Sequence, residues 1–137
     1  MAKQYNKSSE KNSESFSQLT GIEGTVPPQA VELEQAVLGA LLLEKDAIID
    51  VQEYVKEETF YTEEHRLIFR AIQELSFEMK AIDLYTVTER LKSQKLLTKV
   101  GGAAYLAQLT QRVASAAHIE FHAKIIAQKY VQRELIR

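Results

Sequence analysis

The sequence predicts an all-α fold, a compact multi-helix head followed by one long C-terminal helix. Three observations lead there. The run Ala36–Leu43 (AVLGALLL) is eight consecutive apolar residues. That is far short of the roughly 20 needed to cross a bilayer, and a helix apolar on nearly every side must be covered by neighbours all round. Elsewhere apolar residues recur at helical spacing behind capping residues, and no segment sustains the alternation of a half-buried strand. The final segment, 115–136, carries two apolar stripes, more than one small head needs.

The central helix is Val31–Glu44. Leu33, Val37, Ala40 and Leu41 make one stripe, Leu38 and Leu42 begin another on the opposite side, and Glu32, Glu34 and Gln35 give it a polar start. A buried strand is the rival reading of such a run, but Leu and Ala dominate and β-branched residues are scarce. Asp46 is the expected N-cap of a short second helix ending near Val55, with Ile48, Val51 and Val55 inward. Thr62 caps a third helix to about Phe77, with Glu63 and Glu64 favourable against its dipole and Ile68, Ala71, Ile72 and Leu75 on one face. Phe60 and Tyr61 fold back onto its first turns. Asp83 caps a fourth helix with Leu84, Val87 and Leu91 inward, and Leu96, Leu97 and Val100 return the chain across the core. Gly101-Gly102 breaks the chain before a fifth helix with Tyr105, Leu106 and Leu109. Ser115 caps the last helix, which reaches at least Ile136. Ile119, Ala123, Ile126 and Tyr130 follow the spacing of a coiled-coil seam; Ala127, Val131 and Leu135 form a second stripe, widened by Phe121 and Ile125. One stripe covers the head and the other calls for a partner.

Length and composition bound the rest. The 137 residues make one domain with an appendage. Residues 1–25, rich in Ser, Asn, Lys and Gln, read as a disordered tail, and Val26-Pro27-Pro28 marks the boundary of a domain at 26–137. Its head spans about 26–114 and its last helix about 115–137. Cysteine is absent, which excludes disulfides, thiolate metal sites and thiol nucleophiles. With neither an apolar leader nor a membrane span in the sequence, the expected location is cytoplasmic, away from any membrane. The net charge of −2 is unevenly placed: Val31–Glu58 holds eight acidic and two basic residues, Thr59–Arg137 eight acidic and twelve basic. Such polarity can orient a charged partner.

No constellation for catalysis stands out, and no catalytic, cofactor-binding or metal-binding residues are assigned. A phosphate-cradling loop needs glycines ending in Lys-Ser/Thr; the five glycines are Gly21, Gly24, Gly39, Gly101 and Gly102, and none precedes a Lys. His118 and His122 lie four apart and could share a metal, but HIEFH lacks the zinc-protease Glu and has no evident third ligand. His65 reads as a capping or packing contact, and the pairs Glu57-Glu58 and Glu63-Glu64 as solvated. The candidate residues are therefore for partners: Glu32 on the first turn of the central helix, Tyr105 after the glycine pair, and Tyr130, Val131 and Leu135 on the last helix.

Five motifs, PPQAVELEQAVLGALLLE, FYTEEHRLIFRAI, IDLYTVTERL, VGGAAYLAQL and SAAHIEFHAKIIAQKYVQRELI, come in the order and spacing of a known family. Over Val26–Ile136 the chain resembles the N-terminal domain of the bacterial replicative DNA helicase, the DnaB family. The resemblance implies a helical head followed by a helical hairpin, of which the last helix here is the first half. It implies pairing into dimers, three of which form a collar on a hexameric ring, and recruitment of the primase C-terminal region. ATP, magnesium and DNA would then be handled by a motor domain outside this fragment, which itself takes no cofactor. The sequence departs from the family pattern at Ala30, Lys95, Ala114 and His118, where Ser, Gly, Pro and Asn are often found. The expected function is a non-catalytic domain for ring assembly and primase recruitment in DNA replication. The alternative is a helical nucleic-acid-binding module using the basic C-terminal half, although aromatic residues are sparse among Lys124, Lys129, Arg133 and Arg137.

Overall fold

The computed structural model describes residues 30–112 and 118–136, and every regular element among them is helical. The expected tail, the Pro27-Pro28 boundary, Ala114 and the Ser115 cap lie outside the described residues. Helix α1 (Val31–Leu43) is the axis of the fold, and Ala36–Leu42 are buried without interruption. Each of the other five α-helices packs against it. This is the consequence of an all-round apolar helix: its burial is satisfied only by a shell of neighbours. Ala30 precedes α1 without a side-chain cap, as expected of an alanine at this position.

Helix α2 (Ala47–Val51) departs from expectation at both ends. Asp46 makes no cap hydrogen bond; it is left-handed, with φ 67°. The link from α1 has three residues, Glu44–Asp46, and the reversal falls on a residue type whose short polar side chain tolerates that conformation. The helix stops at Val51 rather than Val55, yet Val55 is still buried, carried inward by a turn in which the Tyr54 N–H donates to the Val51 carbonyl at 2.9 Å. A 3₁₀ turn, Glu57–Thr59, follows.

Helix α3 (Glu63–Phe77) starts at Thr62, whose Oγ1 accepts from the His65 N–H at 3.2 Å. Its buried face includes the expected Ile68, Ala71, Ile72 and Leu75, and Phe60 folds back to stack on Phe69 with ring centroids 5.0 Å apart. Helix α4 (Leu84–Ser93) begins in a reciprocal capping box between Asp83 and Thr86 and buries Val87 and Leu91. Arg90 on α4 holds the end of α3 through both oxygens of Glu78, at 2.7 and 2.9 Å. Hydrogen bonds from Arg90 and then Lys80 lower the Glu78 carboxyl to a pKa of about 2.

The ends of α3 and α4 close in the same way. The Lys80 N–H donates to the Leu75 carbonyl at 2.9 Å and the Leu96 N–H to the Leu91 carbonyl at 2.8 Å, with Met79 and Lys95 left-handed between them at φ 58° and 60°. This is the Schellman closure that glycine favours, here made on side-chain-bearing residues. Helix α5 (Gly102–Gln111) opens on two positive-φ glycines, Gly101 just before it and Gly102 as its first residue. Helix α6 (Ile119–Ile136) lays Ile119, Ala123 and Ile126 on the head.

Candidate functional site

Two charged or ionisable side chains lie in the centre of the head. Glu34 on α1 and His65 on α3 are each 1% exposed. Burying a carboxylate is unfavourable unless its oxygens are hydrogen-bonded, and both are: Oε1 meets His65 Nδ1 at 2.7 Å and Oε2 accepts the Tyr61 N–H at 2.8 Å. On the far side of the imidazole, Nε2 lies 2.6 Å from the Tyr105 hydroxyl of α5, which also receives the Gln35 amide at 3.3 Å. One assignment of protons satisfies every group. Gln35 donates to Tyr105, Tyr105 donates to His65 Nε2, and His65 Nδ1–H donates to Glu34. The chain therefore joins α1, α3 and α5 through three motifs far apart in sequence. Gly101 makes room for it, because a Cβ there would stand 2.9 Å from Tyr105 Cβ at a φ of 107°.

The order carboxylate–imidazole–hydroxyl superficially matches a nucleophilic triad. Its electrostatics run the other way: burial, the largest influence, pushes the Tyr105 phenol up from its ordinary value, whereas an activated nucleophile needs the opposite. With Glu34 and His65 sealed from solvent, the chemistry available is that of a directional strut between helices.

The strut extends to α6 through Tyr61. Its N–H is held by Glu34, and its carbonyl accepts from Arg66 at 2.8 Å. Its ring faces the Arg133 guanidinium at 5.2 Å, and Tyr130 flanks the same guanidinium at 5.7 Å. Arg133 Nη2 also donates to the Thr59 carbonyl at 2.8 Å. Desolvation lowers the Arg133 pKa, opposed chiefly by the field of Glu34. Beneath these groups is a groove of about 630 Å³ lined by Phe60, Tyr61, Arg66, Tyr130, Arg133 and Ile136, with Glu58 and Glu134.

The candidate residues fall into two sets. Glu32, Val131 and Leu135 are exposed, the latter two at 55% and 80%. Tyr105 and Tyr130 are half-buried and engage His65 and Arg133. On α6 Lys124 also makes contacts within the chain, lying 3.6 Å from Glu120 and 5.1 Å over the Tyr54 ring. The Tyr54 hydroxyl donates to Glu120 at 2.7 Å, which raises its pKa to about 12. His118 and His122 lie side by side with ring centroids 6.3 Å apart, and no group of three or more metal-ligating side chains occurs among the described residues. No helix among the described residues is long and apolar enough to cross a membrane.

The pairing of Glu34 with His65 is what sequence reasoning missed. Glu34 stands in the sequence as part of the polar start of the central helix; His65, expected as a capping or packing contact, does donate its N–H to Thr62 Oγ1 and is buried, but its ring also pairs with Glu34. Their spacing held a signal: Glu34 shares a stripe with Val37, Leu38 and Leu41, and His65 one with Ile68, Phe69 and Ile72. Polar groups aligned with a buried face at i+3, i+4 and i+7 require partners inside.

Fold and interior together define a small helical domain whose buried polar groups tie its own helices and whose last helix turns an apolar face outward. Known proteins narrow the class. The family described as DnaB-like helicase N terminal domain matches residues 26–128, and the chain belongs to that family. Replicative DNA helicase DnaB of Rhodothermus marinus is 53% identical over 110 residues, covering 80% of this chain and 12% of that protein. Its counterpart from Geobacillus stearothermophilus is 40% identical over 112 residues, 82% of this chain and 25% of that protein. The crystal structure of the N-terminal domain of DnaB helicase from Mycobacterium tuberculosis superposes with a TM-score of 0.79 at 40% identity, covering 81% of this chain and 80% of that one. The chain thus spans a quarter or less of the length of these two curated relatives.

Proposed function

We propose that this domain is a non-catalytic assembly and recruitment module of a replicative DNA helicase. Copies pair through their last helices into a collar on a hexameric ring, and the paired surface recruits the C-terminal region of primase. In that arrangement ATP, magnesium and DNA are handled by the motor part of the full protein. One observation carries the reading: the outer face of α6 exposes Phe121, Val131, Leu135 and Ile136 while its inner face is buried. An apolar helix face left in water favours a partner. In this reading α6 is the first half of a hairpin, Val131 and Leu135 belong to its seam, and Glu32 lies on the rim.

Light scattering across a concentration series tests the assembly step. The chain is expected to self-associate weakly, and Val131→Asp to abolish this without moving the thermal midpoint of the head. Leu41→Asp, in the buried axis, should unfold the domain. A Val131→Asp variant that associates as the parent does, or that unfolds, contradicts the reading.

A further inference from the structure

We infer that Arg133 is a latch that sets the tilt of α6 on the head, and that Tyr61 is the post to which it fastens. The fully buried residues of α6 are Ile119, Ala123 and Ile126, so its sealed apolar seam ends ten residues before the helix does. Arg133 lies seven residues beyond Ile126, an overhang of about 10 Å at the rise of an α-helix. Under that overhang the surface is hollow rather than packed, the groove of about 630 Å³ described above. The Arg133 side chain crosses from helix to head there, donating to the Thr59 carbonyl at 2.8 Å with its guanidinium 5.2 Å from the Tyr61 ring centroid.

The two sides of the latch differ in rigidity. Tyr61 is pinned at both backbone groups, its N–H by the sealed Glu34 carboxylate and its carbonyl by Arg66. Glu34 is in turn locked by His65 and, beyond it, Tyr105. The post is therefore continuous with the core strut. The arm, by contrast, is one long side chain, and its contacts with the Thr59 carbonyl and the two ring faces are individually modest and separable from core packing. Arginine suits this place because a planar guanidinium can stack and donate at once, which a lysine ammonium cannot. With the latch fastened, Val131 and Leu135 are presented in one direction; with it open, α6 pivots about its three-residue seam and that direction is no longer specified.

The consequence for assembly rests on the function proposed above, but the latch itself does not, and the two are measured separately. The chain has no cysteine, so Asp50→Cys and Leu135→Cys introduce a single labelled pair. Electron–electron spin distances on the labelled chain, diluted into unlabelled protein, then report the tilt within one molecule. The expected result is one narrow distance for the parent and a distribution broadened or shifted by several ångström in Arg133→Met, with the thermal midpoint retained. Arg133→Lys should fall between them, and Tyr61→Leu should broaden the distribution where Tyr61→Phe, keeping the ring, does not. A distribution in Arg133→Met that superposes on the parent overturns the inference. So does loss of cooperative melting in Arg133→Met, since opening a latch leaves intact what it is fastened to. A change in spin distance with unaltered self-association would retain the latch and count against its role in assembly.

Discussion

Removing His65 is the sharpest test of the buried strut. In His65→Leu the Glu34 carboxylate stays 1% exposed in the parent geometry and keeps a single donor, the Tyr61 amide. Losing a hydrogen bond to a buried carboxylate costs about 1.5–3 kcal/mol. For a domain near 100 residues, at roughly 4 °C per kcal/mol, the midpoint should drop by roughly 6–12 °C. Glu34→Leu strands two N–H donors instead, those of Tyr61 and His65, at about 1–3 kcal/mol each. The informative variant is the double Glu34→Leu/His65→Leu. It removes carboxylate and imidazole together and leaves the Tyr61 amide unpaired, while Tyr105, half-buried, can turn its hydroxyl to water. Its loss should therefore fall below the sum of the single losses by about 2 kcal/mol or more, the signature of directly coupled residues. Urea denaturation followed by circular dichroism measures this; the chain contains no tryptophan to follow by fluorescence. Additive single losses, or a His65→Leu variant within about 1 kcal/mol of the parent, would refute the claim that the pair is a buried, mutually dependent unit.

Three further outcomes are expected. Lys95→Gly should stabilise the domain by roughly 0.5–1 kcal/mol by relieving a left-handed residue in the turn after α4, read as a higher urea midpoint. Gly101→Ala should destabilise it, since the new Cβ would meet Tyr105 at 2.9 Å on a positive-φ backbone; the matching change at the more open Gly102 serves as the comparison in the same melts. The pKa of Glu78 is lowered from 4.5 to about 2 in the folded state, so its contribution is fully present above the unfolded pKa and is lost as pH falls through that window. Glu78→Gln should flatten the stability–pH profile between those limits, and an unchanged slope there would exclude the Arg90–Glu78 contact as its source.

Much of the fold followed from local pattern alone. An apolar run with no polar face had to be an axis, and Thr62 and Asp83 announced the starts of α3 and α4 because caps act within three residues of themselves. Lys95, where the resembled family often has Gly, is left-handed. At Asp46 local chemistry misled: its side chain is a good cap, but the short link out of α1 required a reversal at that residue. The glycine pair read as a break; that Gly101 also makes room for Tyr105 depends on the path of α5. The interior of the site lay further still from local pattern. Glu34, His65 and Tyr105 are separated by 31 and 40 residues and become one hydrogen-bonded chain only once α1, α3 and α5 are packed together. Tyr61 and Arg133 meet for the same reason, across the groove under α6. Periodicity and capping are properties of neighbours along the chain, and they determined which segments are helices and which faces are apolar. The pairing of buried polar groups is a property of neighbours in space, and it was decided by the tertiary structure.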